Sequence, residues 1–255
     1  ELYKQVARLS IWLKQNGVKK GDRVAGFLPN MPETVISMLA TASLGAVWTS
    51  CSPDFEVQGV LDRFGQVEPK VFICVDGYYY NGKEFDCLEK NKKIVSQLPS
   101  VEQTLVVRFV NDGFGFLDFN QSFLFDEIVN GSTNPDLEFE SVAFNDPLYI
   151  LFSSGTTGIP KCIVHGVGGT LIQHKKEHML HCDIKKGDRV FFFSTCGWMM
   201  WNWLVSSLAS GATLMLYDGS PFIKNNDNIL FDYAEQEKFN FMGVSAKYLD
   251  TARKK

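Results

Sequence analysis

The stretch Leu148–Gly169, LYILFSSGTTGIPKCIVHGVGG, decides how the rest of the chain is read. Leu148 to Phe152 and Cys162 to Val164 are short apolar runs, and between them lie Ser153, Ser154, Gly155, Thr156, Thr157, Gly158, Ile159, Pro160 and Lys161. The pattern predicts strand, polar loop, strand. Two glycines let the backbone come close to a ligand, and four hydroxyls add donors with no acidic side chain beside them. That chemistry suits a polyphosphate. Lys161 brings a cation on a flexible stem, placed to neutralise charge on an oxyanion. Pro160 stands where G-x-x-x-x-G-K-[ST] requires its second glycine, and G-x-G-x-x-G is not matched, so neither the P-loop nor the dinucleotide fingerprint applies. The competing reading is a solvated hairpin loop with an ordinary surface lysine.

On the N-terminal side of this stretch, Leu2, Val6, Leu9 and Leu13 recur at helical spacing, and Gly17 stops that helix before a strand from Arg23 to Leu28. Pro32 opens a helix with Val35, Met38, Leu39 and Ala42 on its apolar face. A strand (47–51), a helix (57–66) and a strand (70–75) follow. Next come a tyrosine-rich loop at 77–83, a charged helix around 88–98 and a strand at 104–110. Residues 111–145 dissolve into Gly, Asn, Asp and Phe, with one short helix at 125–129, and mark a lobe boundary or a surface excursion. On the C-terminal side, helices at 170–182, 198–209, 229–238 and from 246 onward alternate with strands at 190–195, 213–217 and 241–244. The expected fold is α/β, with repeated βαβ units forming mostly parallel sheets covered by helices. Residues 1–110 form a first lobe, 111–145 a connection, and 146–255 a second lobe carrying the polar loop. Val18-Lys-Lys-Gly-Asp-Arg-Val24 returns as Ile184-Lys-Lys-Gly-Asp-Arg-Val190, which reads as a repeated helix-to-strand turn with no catalytic role.

With 255 residues, 45% of them hydrophobic and 13% aromatic, the chain can bury a large core. A formal charge of −4 gives no basic excess, so nucleic acid and anionic membranes are poor partners and phosphate binding must be local. Six cysteines are scattered without a C-x-x-C pair, which fits reduced thiols in the cytoplasm. The sequons at Asn120 and Asn130 would matter only in a secreted chain, and no signal peptide supports one. Val190 to Tyr217 carries no charged residue, yet Ser194, Thr195, Asn202, Ser206, Ser207 and Ser210 interrupt it, and Gly197 and Gly211 divide it into strand, helix and strand. No membrane span is expected, since crossing needs ~20 apolar residues in one helix. The first residue is Glu1 and not methionine, so the natural N-terminus is expected to lie further upstream.

Two further motifs carry chemistry. Gly197-Trp-Met-Met-Trp-Asn-Trp203 follows a strand of a parallel sheet, at the carboxyl end where such sheets bind ligands. An aromatic core helix is the competing reading. His174-Lys-Lys-Glu-His178 matches H-x-x-E-H, with His181 near the same helix face; this zinc-peptidase pattern is weighed against a solvated helix face. His165 lies nearer the polar loop, either to polarise a substrate or as a hydrogen-bonded structural histidine.

SSGTTGIPK resembles the phosphate-loop signature of the adenylate-forming superfamily, which includes acyl-CoA synthetases, luciferases and peptide-synthetase adenylation domains. GWMMWNW looks like the acyl-pocket segment of its acetoacetyl-CoA synthetases, where acetyl-CoA synthetases have GW followed by smaller residues. The resemblance extends from the first helix through Phe241-Met-Gly-Val-Ser-Ala-Lys247 and implies the large N-terminal domain of such an enzyme. It implies an acid-thiol ligase that joins acetoacetate to ATP, forming acyl adenylate and pyrophosphate, and then passes the acyl group to coenzyme A. Ser153, Ser154, Gly155, Thr156, Thr157, Gly158 and Lys161 would hold the ATP phosphates, with Lys161 and Thr156 acting on the departing pyrophosphate beside Mg2+. Trp198, Met199 and Met200 would form the acyl pocket. Tyr80, Asn81, Gly82 and Lys83 sit where acetyl-CoA synthetases have an Arg-Ala-Gly-Arg contact to coenzyme A, and only Gly82 and the basic Lys83 match. The superfamily's magnesium glutamate, ribose aspartate and C-terminal catalytic lysine fall after Lys255, so no metal ligand is assigned and residues 1–255 alone are expected not to complete adenylation. Partners are small molecules. The near alternative is another short-chain acyl-CoA synthetase of the acetyl or propionyl type, and the distant one is a zinc-binding helix at His174 and His178.

Overall fold

A computed structural model describes residues 1–110, 121–153, 158–224 and 226–254. The first half of the chain runs α1 (Leu2–Gln15), β1 (Arg23–Phe27), α2 (Pro32–Ser43), β2 (Val47–Cys51), α3 (Val57–Val67), β3 (Val71–Val75), β4 (Gly77–Tyr80), β5 (Lys83–Asp86), α4 (Leu88–Val95) and β6 (Gln103–Val107). It continues through β7 (Ser122–Leu124), α5 (Phe125–Val129), β8 (Pro147–Phe152) and β9 (Cys162–Gly166). The remainder is α6 (Val167–Lys176), β10 (Arg189–Phe192), α7 (Met199–Ser206), β11 (Thr213–Met215), α8 (Ile229–Glu237), β12 (Phe241–Gly243) and α9 (Ala246–Arg253).

A seven-stranded sheet in the order β7-β6-β3-β1-β2-β8-β9 forms the larger layer, parallel except for the β8–β9 hairpin. Its inner strands VWTSC and VFICV are buried at every residue, as expected of parallel strands covered on both faces. Alternate residues feed opposite cores. Val24, Trp48, Ile73 and Leu105 join Leu9 and Leu13 of α1 on one face. Ala25, Phe72, Cys74 and Val106 meet Val60 and Phe64 of α3 and Ile94 of α4 on the other. Gly26 is required within β1, because a Cβ there would lie 2.4 Å from the indole of buried Trp48.

The second sheet, β11-β10-β12, is parallel and repeats the start of the first. The duplicated Lys-Lys-Gly-Asp-Arg segments explain the likeness. Gly21 and Gly187 adopt φ of 84° and 89°, and the carboxylates of Asp22 and Asp188 accept from the amides of Lys19 and Lys185 at 2.9 and 2.8 Å. Each aspartate carbonyl then accepts from the first residue of the neighbouring strand, Val47 or Thr213. The segment acts as a turn that sets strand register, as read from sequence.

Several details differ from the sequence reading. The tyrosine-rich loop is a β-hairpin: Tyr80 pairs with Lys83, and Asn81 and Gly82 both take positive φ, 51° and 74°. Asn-Gly is the strongest short hairpin signal, because that turn needs left-handed backbone at both central residues. Within 111–145, Ser122–Leu124 adds an edge strand parallel to β6, ahead of the expected short helix α5. Trp12 of α1 meets Phe123 of that strand edge-on, with centroids 5.3 Å apart. Residues 147–166, grouped with the second lobe on sequence, complete the first sheet: β8 pairs with β2, and β9 pairs with β8. The helix α2 buries Thr34, Ser37 and Thr41 besides its apolar residues. Their hydroxyls donate to the carbonyls of Pro29, Glu33 and Ser37, so the helix can be covered on more than one side. Among the described residues no helix is long and apolar enough to cross a membrane.

Candidate functional site

The polar loop springs from a hairpin clamped at its mouth. Phe152, the last residue of β8, pairs with Cys162, the first of β9. One step further out, the Ser153 amide donates to the Lys161 carbonyl and the Lys161 amide donates to Ser153 Oγ, both at 3.0 Å. Gly158 adopts φ +104°, a conformation that disfavours any side chain, and Gln66 of α3 donates to the Pro160 carbonyl at 2.8 Å. These contacts fix both ends of the loop. Lys161 is exposed, and among the described residues no carboxylate lies within 4 Å of its Nζ. Ser154, Gly155, Thr156 and Thr157 lie outside the described residues.

Trp198 stands between β10 and α7 with an extended backbone, and its side chain is 56% exposed. It lines a cavity of about 30 Å³ together with Ser50, Cys51, Phe55, Arg63, Phe152 and Gly197. The loop root and Trp198 therefore share one wall, since Phe152 directly precedes Ser153. The supporting bonds run between the two sheets. Ser50 Oγ donates to the Cys196 carbonyl at 2.7 Å, and Cys196 Sγ reaches the Leu28 carbonyl at 2.9 Å. Burial pushes the Cys51 thiol up to about 12, so it contributes a neutral wall and not an anion. Met199 and Met200, named with Trp198 on sequence, turn elsewhere: Met199 packs against the core that holds Trp201, and Met200 against that of Trp203.

The hairpin residues Tyr80, Asn81, Gly82 and Lys83 are exposed at a turn beyond the carboxyl end of β3. Tyr78 stacks on Phe85 at 5.0 Å, and burial pushes its phenol up to about 12. Asp218, just beyond β11, is raised to about 6 by burial, opposed by a hydrogen bond from the Asn30 backbone, with Asp54 adding like charge. Arg63 is not singled out by sequence pattern, because it reaches this cavity only through tertiary packing.

His165, His174 and His178 are engaged in packing, while His181 is exposed. His165 lies against Tyr149 with ring centroids 4.9 Å apart, and burial lowers its pKa. His174 Nδ1 meets Ser206 Oγ at 2.8 Å, and burial, helped by His178, lowers it to about 4. His178 Nε2 donates to the Trp203 carbonyl at 3.1 Å, while Glu177 accepts from the Trp203 indole at 2.9 Å. The helix expected through Cys182 widens into a π-helical turn at Glu177–His181. His174, Glu177 and His178 thus each direct a polar atom to Ser206 or Trp203 of α7, while His178 Nδ1 is buried without a partner among the described residues. Among the described residues no group of three His, Cys, Asp or Glu could hold a metal.

Comparison with known proteins adds the family context. A family model described as AMP-binding enzyme matches residues 1–254. Acetoacetyl-coenzyme A synthetase of Rhizobium meliloti (strain 1021) is 55% identical over 256 residues, which cover 100% of this chain and 39% of that protein. Malonamoyl-CoA synthetase of Penicillium aethiopicum is 47% identical over 233 residues, covering 87% of this chain and 32% of that protein. The solved structure of acetoacetyl-CoA synthetase from Streptomyces lividans superposes with a TM-score of 0.93 at 42% identity, over 99% of this chain and 38% of that one. The chain spans less than two fifths of the length of each of these relatives.

Proposed function

The chain belongs to the AMP-binding enzymes, and on that premise we propose that it provides the phosphate loop and the acyl slot for ATP-dependent ligation of acetoacetate to coenzyme A. The observation that supports this reading is the wall shared by Trp198 and Phe152, which brings the exposed indole beside the root of the polar loop. Relatives named for acetoacetyl and malonamoyl groups support the same substrate class, since both acyl groups carry a carbonyl at carbon 3.

In the first step a carboxylate oxygen of acetoacetate attacks the α-phosphorus of ATP, and the bond to pyrophosphate breaks. Negative charge grows on the departing pyrophosphate, where Ser153, Ser154, Gly155, Thr156, Thr157 and Gly158 supply donors and Lys161 a cation. In the second step the coenzyme A thiol, giving its proton to solvent, attacks the acyl carbon, and AMP leaves with the former carboxylate oxygen. Tyr80, Asn81, Gly82 and Lys83 form the coenzyme A contact, with Lys83 near a phosphate. Magnesium carried in with the ATP phosphates would add positive charge beside Lys161. Six free cysteines, several raised in pKa by burial, support a cytoplasmic setting.

Acetoacetate labelled with oxygen-18 in its carboxylate tests the order of bonds. Turnover by the full-length polypeptide with ATP and coenzyme A is expected to deliver labelled AMP. Unlabelled AMP, or label in inorganic phosphate, would contradict an acyl adenylate.

A further inference from the structure

Arg63 is the one charged side chain in the wall of the Trp198 cavity. Its guanidinium lies 4.5 Å from the Phe55 ring centroid and 5.9 Å from that of Phe152, the residue at the root of the loop. Two aromatic rings hold a planar cation there through cation–π attraction. Its NH1 donates to the Gly59 carbonyl at 2.7 Å. A guanidinium has five N–H donors, and among the described residues no carboxylate lies within 4 Å of this one. Asp62, its neighbour in sequence, takes its hydrogen bond from Gln58 instead. A half-buried arginine held between phenyl rings, with donors to spare and neutral Cys51 opposite, is prepared for an acceptor that arrives with the ligand.

We propose that Arg63 is a specificity-determining residue whose guanidinium donates to the 3-oxo oxygen of the acyl substrate lodged beside Trp198. The proposal rests on the reading of this slot as a site for acetoacetate. A ketone oxygen only accepts, and a guanidinium only donates, so the pair is complementary. Butyrate has the same chain length and the same carboxylate but no oxygen at carbon 3, and would leave the guanidinium desolvated and unanswered. Sites that hydrogen-bond a substrate group reject analogues lacking it for this reason.

The test compares acetoacetate with butyrate in pyrophosphate exchange by the full-length polypeptide, as wild type, Arg63→Met and Arg63→Lys. The ratio of kcat/KM for acetoacetate to that for butyrate is expected to fall by roughly ten- to a hundredfold in Arg63→Met, the range for a hydrogen bond to a charged group. Arg63→Lys keeps a cation but loses the planar fork, and should restore part of the ratio. Because each ratio is taken within one protein sample, partial unfolding cancels. A constant ratio across the three proteins overturns the role of Arg63 while leaving the slot intact. A wild type that does not favour acetoacetate overturns the slot reading itself.

Discussion

Lys161→Ala in the full-length polypeptide is expected to slow adenylation by roughly ten- to a thousandfold, the range for losing one preorganised stabiliser of transition-state charge. The argument starts from the clamp. Paired backbone and hydroxyl bonds between Ser153 and Lys161 fix where the lysine leaves the hairpin, and no carboxylate among the described residues competes for its Nζ. Its charge is thus free for a ligand, and it counts most when pyrophosphate departs and negative charge peaks. The loss should therefore fall on kcat as well as on kcat/KM, because an interaction stronger in the transition state than in the ground state affects both. Lys161→Arg, which keeps charge but changes shape, should fall between wild type and alanine. An unchanged kcat in Lys161→Ala would remove the lysine from the chemistry and return it to the ordinary surface.

Trp201→Ala is expected to destabilise the chain by about 3–5 kcal/mol, the usual cost of emptying a buried aromatic site. Trp201 is fully buried in the core that also holds Trp48, Ile73 and Val205. Its indole donates to Asn30 Oδ1 at 2.8 Å, and the Asn30 amide donates to the Tyr217 carbonyl at 3.2 Å. One side chain thus joins α7 to the segments that follow β1 and β11, and through them the two sheets whose junction makes the slot. Trp201→Phe keeps much of the apolar contact and removes only the donor, so a smaller loss of about 1–3 kcal/mol is expected from the buried acceptor left unpaired. Urea unfolding with an unchanged slope reads both values from the midpoint. A loss below about 1 kcal/mol for the alanine variant would contradict the packing role assigned by burial.

Most of the fold is legible in the sequence because its elements carry strong local periodicity. Leu9 and Leu13 on α1, and the wholly apolar VFICV of β3, announce themselves through spacing alone. The duplicated turn is legible for a different reason: glycine is the residue that tolerates the positive φ found at Gly21 and Gly187. What sequence left open depends on pairing across distance. Nothing local says that β8 and β9 close onto β2, or that Ser122–Leu124 extends the far edge of the same sheet. The Asn81-Gly82 turn, by contrast, is a local hairpin signal set among tyrosines.

The site divides along the same line. Ser153, Gly158 and Lys161 lie within one short stretch of sequence, so they can be proposed together without the fold, and Trp198 is proposed from its place after a parallel strand. Met199 and Met200 share that string, yet helical geometry turns successive residues of α7 in different directions, and both pack into cores. Arg63 comes from α3, and only the fold sets it between Phe55 and Phe152. The H-x-x-E-H pattern shows the converse, since a motif with the right letters packs onto α7, with hydrogen bonds to Ser206 and Trp203.

The most direct measurement is acid-dependent exchange of labelled pyrophosphate into ATP by the full-length polypeptide, with acetoacetate, acetate, butyrate and a long-chain acid compared side by side. Exchange reports the adenylation step alone, without coenzyme A, and therefore tests the phosphate loop and the acyl slot together. The account predicts fastest exchange with acetoacetate. Faster exchange with another acid would contradict the assignment of the Trp198 slot, and no exchange with any acid would contradict adenylation at the Ser153–Lys161 loop.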